Sequence, residues 1–156
     1  MKILLDRPHS EVPSAAPPLG LLYLAAYLRE HIPKGECTTV VCDARFKEYD
    51  FDTIEGIIRD EKPDLLGITS FSLENKEAHE IAKRSKKALP GVPVVIGGPY
   101  ATSDYNQALG DQNIDISVIG EAETSFHQLV MALIRGEDWT GIRELAYRKN
   151  GAITKT

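Results

Sequence analysis

The feature that most constrains the fold is a series of five short apolar runs, each followed by a segment of helical pattern. The runs are KILLD at 2–6, CTTVVCD at 37–43, DLLGITS at 64–70, VPVVIG at 92–97 and DISVI at 115–119. They are nearly continuous rather than alternating with polar residues, which is typical of parallel strands covered on both faces. Strands that alternate with helices through short connections form right-handed βαβ units. The pattern therefore predicts a doubly wound α/β sandwich.

Helical patterns fill the intervals between these strands and follow the last one. We expect helices over 18–31, 52–61, 74–88, 102–109 and 123–135. Pro17 and Pro18 stand at the start of the first helix, where a missing backbone N–H costs nothing. Asp50 or Asp52 is the expected N-cap of the second helix.

The C-terminal segment has a different pattern. Residues 143–156 indicate two strands joined by an Asn150–Gly151 turn, which predicts a β-hairpin. We therefore expect residues 1–140 to form one Rossmann-like domain and residues 141–156 to form a hairpin or linker that follows it.

Composition narrows the function classes. The chain has 156 residues and a net charge of -5, which argues against nucleic-acid binding because phosphate binding needs a basic face. Its apolar runs are shorter than the roughly 18 residues of a membrane span, and the N-terminus lacks a signal-peptide layout. Cys37 and Cys42 are five positions apart on one predicted strand and so point to opposite faces. We expect a cytoplasmic protein without disulfides.

Ligands of open parallel sheets bind beyond the carboxyl ends of the strands. The loops at that edge are 7–17, 43–51, 70–74, 97–102 and 120–123. Loop 7–17 contains no glycine, which excludes the G-x-G-x-x-G dinucleotide motif, and no P-loop motif occurs in the chain. A phosphoacceptor receiver domain would need an aspartate at the end of strand three, where this sequence has Thr69 and Ser70.

Small and polar residues remain at the ends of strands three and four. Thr69, Ser70 and Ser72 offer hydroxyl groups after strand three. Gly97 and Gly98 end strand four, and two readings stay open for them. They form a tight turn into the next helix, or their missing side chains let a flat group lie against the backbone.

Strand five ends in a loop with both a turn residue and acidic residues. Gly120 allows a turn, and Glu121 and Glu123 lie at the predicted start of a helix, where the helix dipole favours carboxylates. Capping is the favoured role for the two glutamates.

Four segments in this order carry a family resemblance. They are PPLGLLYLAAYLRE, GITSFS, PVVIGGPYAT and ISVIGEAETSFHQLV. In this combination the chain resembles the N-terminal cobalamin-binding domain of B12-dependent radical SAM enzymes. That group includes anaerobic magnesium-protoporphyrin monomethyl ester oxidative cyclases and methyltransferases. The resemblance extends through ELAYRKNGAITKT, which looks like the lead-in to a radical SAM domain.

The resemblance implies a Rossmann-like, flavodoxin-like sheet of five parallel strands in the order 2-1-3-4-5. The corrin of cobalamin would lie over the carboxyl ends of the strands, and its dimethylbenzimidazole tail would enter a slot. A strand-three hydroxyl, Thr69 or Ser70, would contact the tail, and Gly97 and Gly98 would leave it room. The implied cofactor-binding residues are Thr69, Ser70, Phe71, Ser72, Gly97, Gly98, Pro99, Tyr100, Gly120 and Glu121.

His9 departs from the related motif D-x-H-x-x-G, whose histidine binds cobalt. Here Asp6 and His9 are spaced D-x-x-H and no glycine follows in the loop. We expect cobalamin to bind base-off without a histidine ligand, with loop 7–17 forming a proline-stiffened edge beneath or beside the corrin. We expect no metal ligand and no catalytic residue in this chain.

The catalytic half of such an enzyme is missing from this sequence. A radical SAM cluster needs C-x-x-x-C-x-x-C, which Cys37 and Cys42 cannot supply. The 4Fe–4S cluster and S-adenosylmethionine are therefore expected only in an absent domain in cis, and the chain alone should have no turnover. The expected partners are cobalamin and that radical SAM domain, and the reaction of the full protein is methyl transfer or oxidative cyclisation.

Helix 18–31 is apolar on almost every side, which predicts burial on two sides. A partner domain or a second copy of the chain, in a homodimer, would cover the second side, or the helix is simply well covered within its own domain. Two other functions stay open: a cofactor-free flavodoxin-like domain with an assembly or regulatory role, and an enzyme for a small phosphate-bearing substrate, for which the anion-binding loops are poor.

Overall fold

A computed structural model describes residues 1–10 and 16–156 of the chain. Its strands form one seven-stranded sheet in the order β2-β1-β3-β4-β5-β6-β7. The strands are β1 Lys2–Arg7, β2 Thr38–Asp43, β3 Leu65–Thr69, β4 Val94–Gly97, β5 Ile116–Val118, β6 Leu145–Lys149 and β7 Ala152–Lys155. The first five pair in parallel, which confirms the predicted order 2-1-3-4-5.

Helices cover both faces of the sheet. They are α1 Leu19–His31, α2 Ala44–Lys47, α3 Phe51–Glu61, α4 Asn75–Ala88, α5 Pro99–Ser103, α6 Tyr105–Gly110 and α7 Ala122–Arg135, with a short 3-10 turn over Ser72–Glu74. None of these helices combines the length and apolarity needed to cross a membrane. Asp50 is the N-cap of α3, since its carboxylate accepts a hydrogen bond from the Thr53 backbone N–H at 2.8 Å.

The core is divided by the sheet into two layers. On one face β1, β3 and β4 pack against α3 and α4, and this layer includes Cys42. On the other face the sheet packs against α1 and α7, and Cys37 lies at the edge of that layer. Both cysteines are free thiols, as the predicted opposite faces require.

Two features differ from the sequence prediction. The single helix expected over 102–109 is wrong, because two short helices meet at Asp104. Its backbone leaves the helical region, with φ at -146°, and its carboxylate accepts a hydrogen bond from the Gln107 N–H that caps α6. The C-terminal hairpin exists as predicted, and it also extends the sheet, because β6 pairs antiparallel with β5.

The strand order places a switch point at the centre of the sheet. β1 lies between β2 and β3, so the connections that follow β1 and β3 leave in opposite directions. A crevice opens at such a point beyond the carboxyl ends of the strands, and this is where open α/β sheets bind ligands.

Candidate functional site

A cavity of about 840 Å³ lies at the carboxyl edge of the sheet, on the face covered by α1 and α7. Its volume is within the range of about 300–1,000 Å³ typical of small-molecule and cofactor sites. Leu5, Gly67 and Val95 stand in register across three strands and form its floor. Thr69 and Gly97 form the next row outward. Because alternate residues of a strand share a face, both rows point into the same cavity.

Gly67 makes the cavity deeper, because it adds no side chain to the floor. A Cβ atom built at this position would lie 2.7 Å from the Leu5 Cδ2 atom and 3.8 Å from the Phe126 ring. Leu5 is 1% exposed and Phe126 is 2% exposed, so neither side chain has free space to move into on the core side. A glycine in the interior of a central strand often marks such a close approach. The missing side chain here lets both Leu5 and Phe126 approach the Gly67 backbone closely beneath the cavity.

Gly97 and Gly98 have different roles, although the sequence treats them as a pair. A Cβ atom at Gly97 would meet no atom within 4 Å, so the missing side chain leaves open space in the cavity. At Gly98 the backbone has φ of +90°, and a Cβ atom would lie 2.8 Å from Thr69 Oγ1 and 3.0 Å from the Ser70 carbonyl oxygen. Gly97 therefore shapes the cavity, and Gly98 permits the close packing of strand ends. The turn reading fits Gly98, which precedes α5, and Gly97 leaves open space in the cavity.

Backbone hydrogen bonds hold these strand ends together. The Ser70 N–H donates to the Gly97 carbonyl at 3.1 Å, and the Tyr100 N–H donates to the Ser70 carbonyl at 3.0 Å. The Thr102 hydroxyl accepts a hydrogen bond from the Gly120 N–H at 3.0 Å. The loops after β3, β4 and β5 are thus connected through a chain of bonds around one side of the cavity.

An ion pair holds the opposite side. The Arg7 guanidinium donates from Nε and Nη2 to the two carboxylate oxygens of Asp43, each at 2.8 Å. Its Nη1 donates to the Ala16 carbonyl, also at 2.8 Å. Bidentate pairs of this kind are among the stronger and more directional hydrogen bonds. Arg7 therefore joins the end of β1 to the end of β2 and to the residues that lead into α1.

A buried acid lies on the other face of β1. Asp6 is 1% exposed, beside the Cys42 thiol of the neighbouring strand. Burial is the main cause that raises the pKa of Asp6 to about 7; the hydrogen bond with Cys42 lowers it in part, and the negative charge of Asp43 adds to the rise. Burial also raises the pKa of the Cys42 thiol, with Asp6 contributing. Neither group lines the cavity.

Seven of the predicted site residues line the cavity. They are Thr69, Phe71, Gly97, Gly98, Pro99, Gly120 and Glu121. Ser70, Ser72 and Tyr100 do not line it. Ser70 is fully buried and its hydroxyl donates to the Phe71 carbonyl, whereas Tyr100 extends into the opposite core layer. There its hydroxyl lies 3.0 Å from Nε2 of His79, whose Nδ1 lies 2.8 Å from the Asp111 carboxylate.

Part of the cavity wall was not predicted from the sequence. The missed residues include Leu5, Arg7, Arg45, Gly67, Val95, Thr102, Ser103, Val118 and Phe126. Gly67 carried a usable signal, since glycine inside a central strand is unusual. The others reach the cavity only through tertiary packing and have no local signature. Of loop 7–17, residues 11–15 lie outside the described residues.

Comparison with known proteins identifies the family. Residues 9–130 match the model of the B12 binding domain. The chain is 36% identical over 160 residues to an uncharacterized methyltransferase of Pyrococcus horikoshii, PH0819, covering 98% of this chain and 34% of that protein. It is 28% identical to the anaerobic magnesium-protoporphyrin IX monomethyl ester cyclase of Synechocystis over 164 residues, covering 99% of this chain and 32% of that protein. The chain thus spans about a third of the length of these relatives.

A solved structure shares the fold. The radical S-adenosylmethionine methyltransferase TsrM of Kitasatospora setae, solved with cobalamin and a [4Fe-4S] cluster bound, superposes with a TM-score of 0.83 at 23% identity. The match covers 99% of this chain and 28% of TsrM. At this identity the likeness shows the fold alone. The sequence matches carry the assignment: the chain belongs to the B12-binding domain family, and its relatives include an uncharacterized methyltransferase and the magnesium-protoporphyrin cyclase.

Proposed function

We propose that this chain is the cobalamin-binding module of a B12-dependent radical SAM enzyme and that it holds cobalamin base-off, without a histidine on cobalt. The observation that carries the proposal is the cavity of about 840 Å³ beyond the strands, with Gly97 open toward it. A planar aromatic group needs a narrow, largely apolar slot with few polar contacts. Leu5, Val95 and Phe126 supply such a floor.

The placement of the histidines supports cobalt binding without a protein ligand. All four histidines lie in the described part of the chain, and none lines the cavity. His9 is half-buried, and its Nδ1 atom is enclosed without a hydrogen-bond partner among the described residues. His31 and His127 lie on α1 and α7 with their ring centroids 5.9 Å apart, and His79 lies on α4, where its Nε2 atom is 3.0 Å from the Tyr100 hydroxyl. We therefore assign His9 to the loop and not to the cofactor.

The residues of this chain would bind and orient the cofactor. Thr69 and Gly97 would contact the tail, Gly67 would set how deep it enters, and Thr102 would keep the loops after β4 and β5 in place. Bound cobalamin would supply the cobalt centre for methyl transfer or oxidative cyclisation in the full protein. No group of this chain takes part in bond making, so the chain alone should have no turnover.

Exposed apolar side chains mark where a second domain would pack. Six large apolar side chains are exposed among the described residues: Leu19, Leu22, Tyr23, Phe46, Phe71 and Leu73. All six lie in the segments that follow β1, β2 and β3, which begin at the edge that holds the cavity. An apolar patch of this kind indicates an interaction surface. We assign it to the radical SAM domain in cis, which would carry the 4Fe–4S cluster and S-adenosylmethionine and follow the hairpin of residues 141–156.

The spectrum of bound cobalamin tests the ligand assignment. Hydroxocobalamin is added to the chain and to the His9→Ala variant, and absorbance and affinity are recorded. The proposal predicts the same affinity and the same base-off spectrum for both proteins. After reduction to cobalt(II), the electron paramagnetic resonance signal should show no splitting from an axial nitrogen. Nitrogen splitting that disappears in His9→Ala would contradict the absence of a histidine ligand.

Hydrogen exchange tests the packing surface. Amides of the first turns of α1 and of residues 71–74 should exchange slowly in a protein that carries the catalytic domain and faster in this chain alone. Residues of α3, on the far side of the sheet, serve as the control and should exchange equally in both. Equal exchange of these amides in the two proteins would contradict the assignment of this surface to the radical SAM domain.

A further inference from the structure

The charges on the cavity wall are unevenly paired. Four side chains of the lining are ionisable: Arg7, Arg45, Glu121 and Glu123. The two arginines lie on the side of β1 and β2, and the two glutamates lie at the start of α7. The net charge that a bound ligand would meet depends on which of these four groups form ion pairs within the chain.

Both arginines are neutralised by carboxylates of the protein. Arg7 forms the bidentate pair with Asp43 and uses its remaining terminal nitrogen on the Ala16 carbonyl. Arg45 donates to Glu74 at 2.5 Å, and both side chains are largely buried. The wall therefore offers no unpaired cation among its described residues.

The two glutamates have no such partner. Within the described residues, no hydrogen bond or ion pair engages the carboxylate of Glu121 or of Glu123, and Glu121 is exposed. They follow Gly120 at the N-terminus of α7, where the helix dipole attracts negatively charged groups. Glu121 is the N-cap residue but makes no side-chain capping bond. Both glutamates thus occupy the start of the helix, as predicted, and their carboxylates remain available to a ligand.

An ionised carboxylate only accepts hydrogen bonds. It attracts the N–H donors of an amide and repels another carboxylate. The periphery of a corrin carries acetamide and propionamide groups, and these are carboxylates in incompletely amidated corrinoids. We propose that Glu121 and Glu123 are specificity-determining residues that select the fully amidated corrinoid against forms bearing a peripheral carboxylate. This inference rests on the proposed cobalamin-binding function.

The test compares hydroxocobalamin with its separated peripheral monocarboxylic acids, in which one propionamide is hydrolysed. Affinities are measured at low and high salt for the chain and for the Glu121→Gln/Glu123→Gln variant. For charges separated by about 7 Å, the acid nearest the glutamates should bind roughly threefold more weakly than the amide at low salt if the groups are fully hydrated, and up to roughly fiftyfold more weakly at the lower effective dielectric of a protein surface. The difference should shrink at about 1 M salt, where the screening length is near 3 Å. It should also disappear in the double variant.

A matched variant controls for net charge. Glu30→Gln/Glu137→Gln removes two exposed carboxylates at the opposite ends of α1 and α7 and should keep the full discrimination. Equal binding of amide and acid forms by the unmodified chain would overturn the inference and leave the proposed function standing. Discrimination that persists in Glu121→Gln/Glu123→Gln, or that is lost equally in the control, would also overturn it. Failure of hydroxocobalamin itself to bind would overturn both proposals.

Discussion

Substituting Gly97, the last residue of β4, and Gly98, which follows it, one at a time should separate binding from folding. In Gly97→Val the new side chain enters the cavity, because a Cβ atom there meets nothing within 4 Å and the backbone is not in the left-handed region. Its effect on the free energy of unfolding should stay within about 0.5 kcal/mol, as for surface substitutions. Loss of the space for a flat ligand should weaken hydroxocobalamin binding by tenfold or more, which is about 1.4 kcal/mol.

Gly98→Val should behave in the opposite way. The left-handed backbone at φ of +90° and the contact of 2.8 Å with Thr69 Oγ1 each oppose a side chain. Backbone strain and overpacking cost about 1–3 kcal/mol each. We expect a loss of at least about 2 kcal/mol in the free energy of unfolding, so weak binding by this variant would not by itself identify the site.

The assay is paired chemical unfolding and absorbance titration with hydroxocobalamin. Gly91→Val is the matched control, because Gly91 lies in a turn remote from the cavity and a Cβ atom there also meets nothing within 4 Å. Gly91→Val should change neither the free energy of unfolding nor the affinity for hydroxocobalamin. Normal cofactor affinity in a folded Gly97→Val variant would refute the reasoning that places the ligand against this strand end.

Three further predictions concern the surroundings of the cavity. Gly67→Ala should lower the free energy of unfolding by about 1 kcal/mol, because its Cβ would lie 2.7 Å from the Leu5 side chain; thermal unfolding that matches the unmodified chain would contradict this contact. Thr102→Val should remove the acceptor for the Gly120 N–H and cost roughly 0.5–1.5 kcal/mol, whereas Thr102→Ser should retain stability in the same assay. Asp6, with a folded pKa of about 7 against its ordinary 3.8, holds its proton in the folded state while the unfolded chain ionises. The free energy of unfolding should therefore fall as pH rises through this window, by up to about 1.4 kcal/mol per unit between pH 5 and 7. Asp6→Asn should flatten this dependence in urea unfolding, and equal slopes for both proteins would exclude the buried acid as its source.

The strands and the hairpin could be predicted from the sequence, because burial and turn chemistry determine which residue types they contain. Strands covered on both faces must be apolar throughout, so the five runs predicted the parallel sheet, and the resemblance supplied the strand order. The Asn150–Gly151 turn likewise predicted the hairpin from local chemistry, and both residues have positive φ in the structure. The pairing of that hairpin with β5 is a long-range contact and had no local signal.

The site was less predictable because it depends on where single atoms point. Gly97 and Gly98 are adjacent and identical in sequence, yet only the fold shows that one faces open space and the other faces Thr69. Tyr100 follows them closely but turns into the opposite core layer, where it meets His79. Arg7 reaches the wall from β1 only because Asp43 stands opposite it on β2.

The central claim is that cobalamin occupies the cavity at the carboxyl edge, and a structure of this chain crystallised with hydroxocobalamin tests it most directly. We predict that the dimethylbenzimidazole tail lies in van der Waals contact with Gly97 and above Gly67. No histidine should lie within bonding distance of cobalt, and corrin amides should lie near Glu121 and Glu123. Cobalamin bound on another surface, or cobalt coordinated by His9, would contradict it.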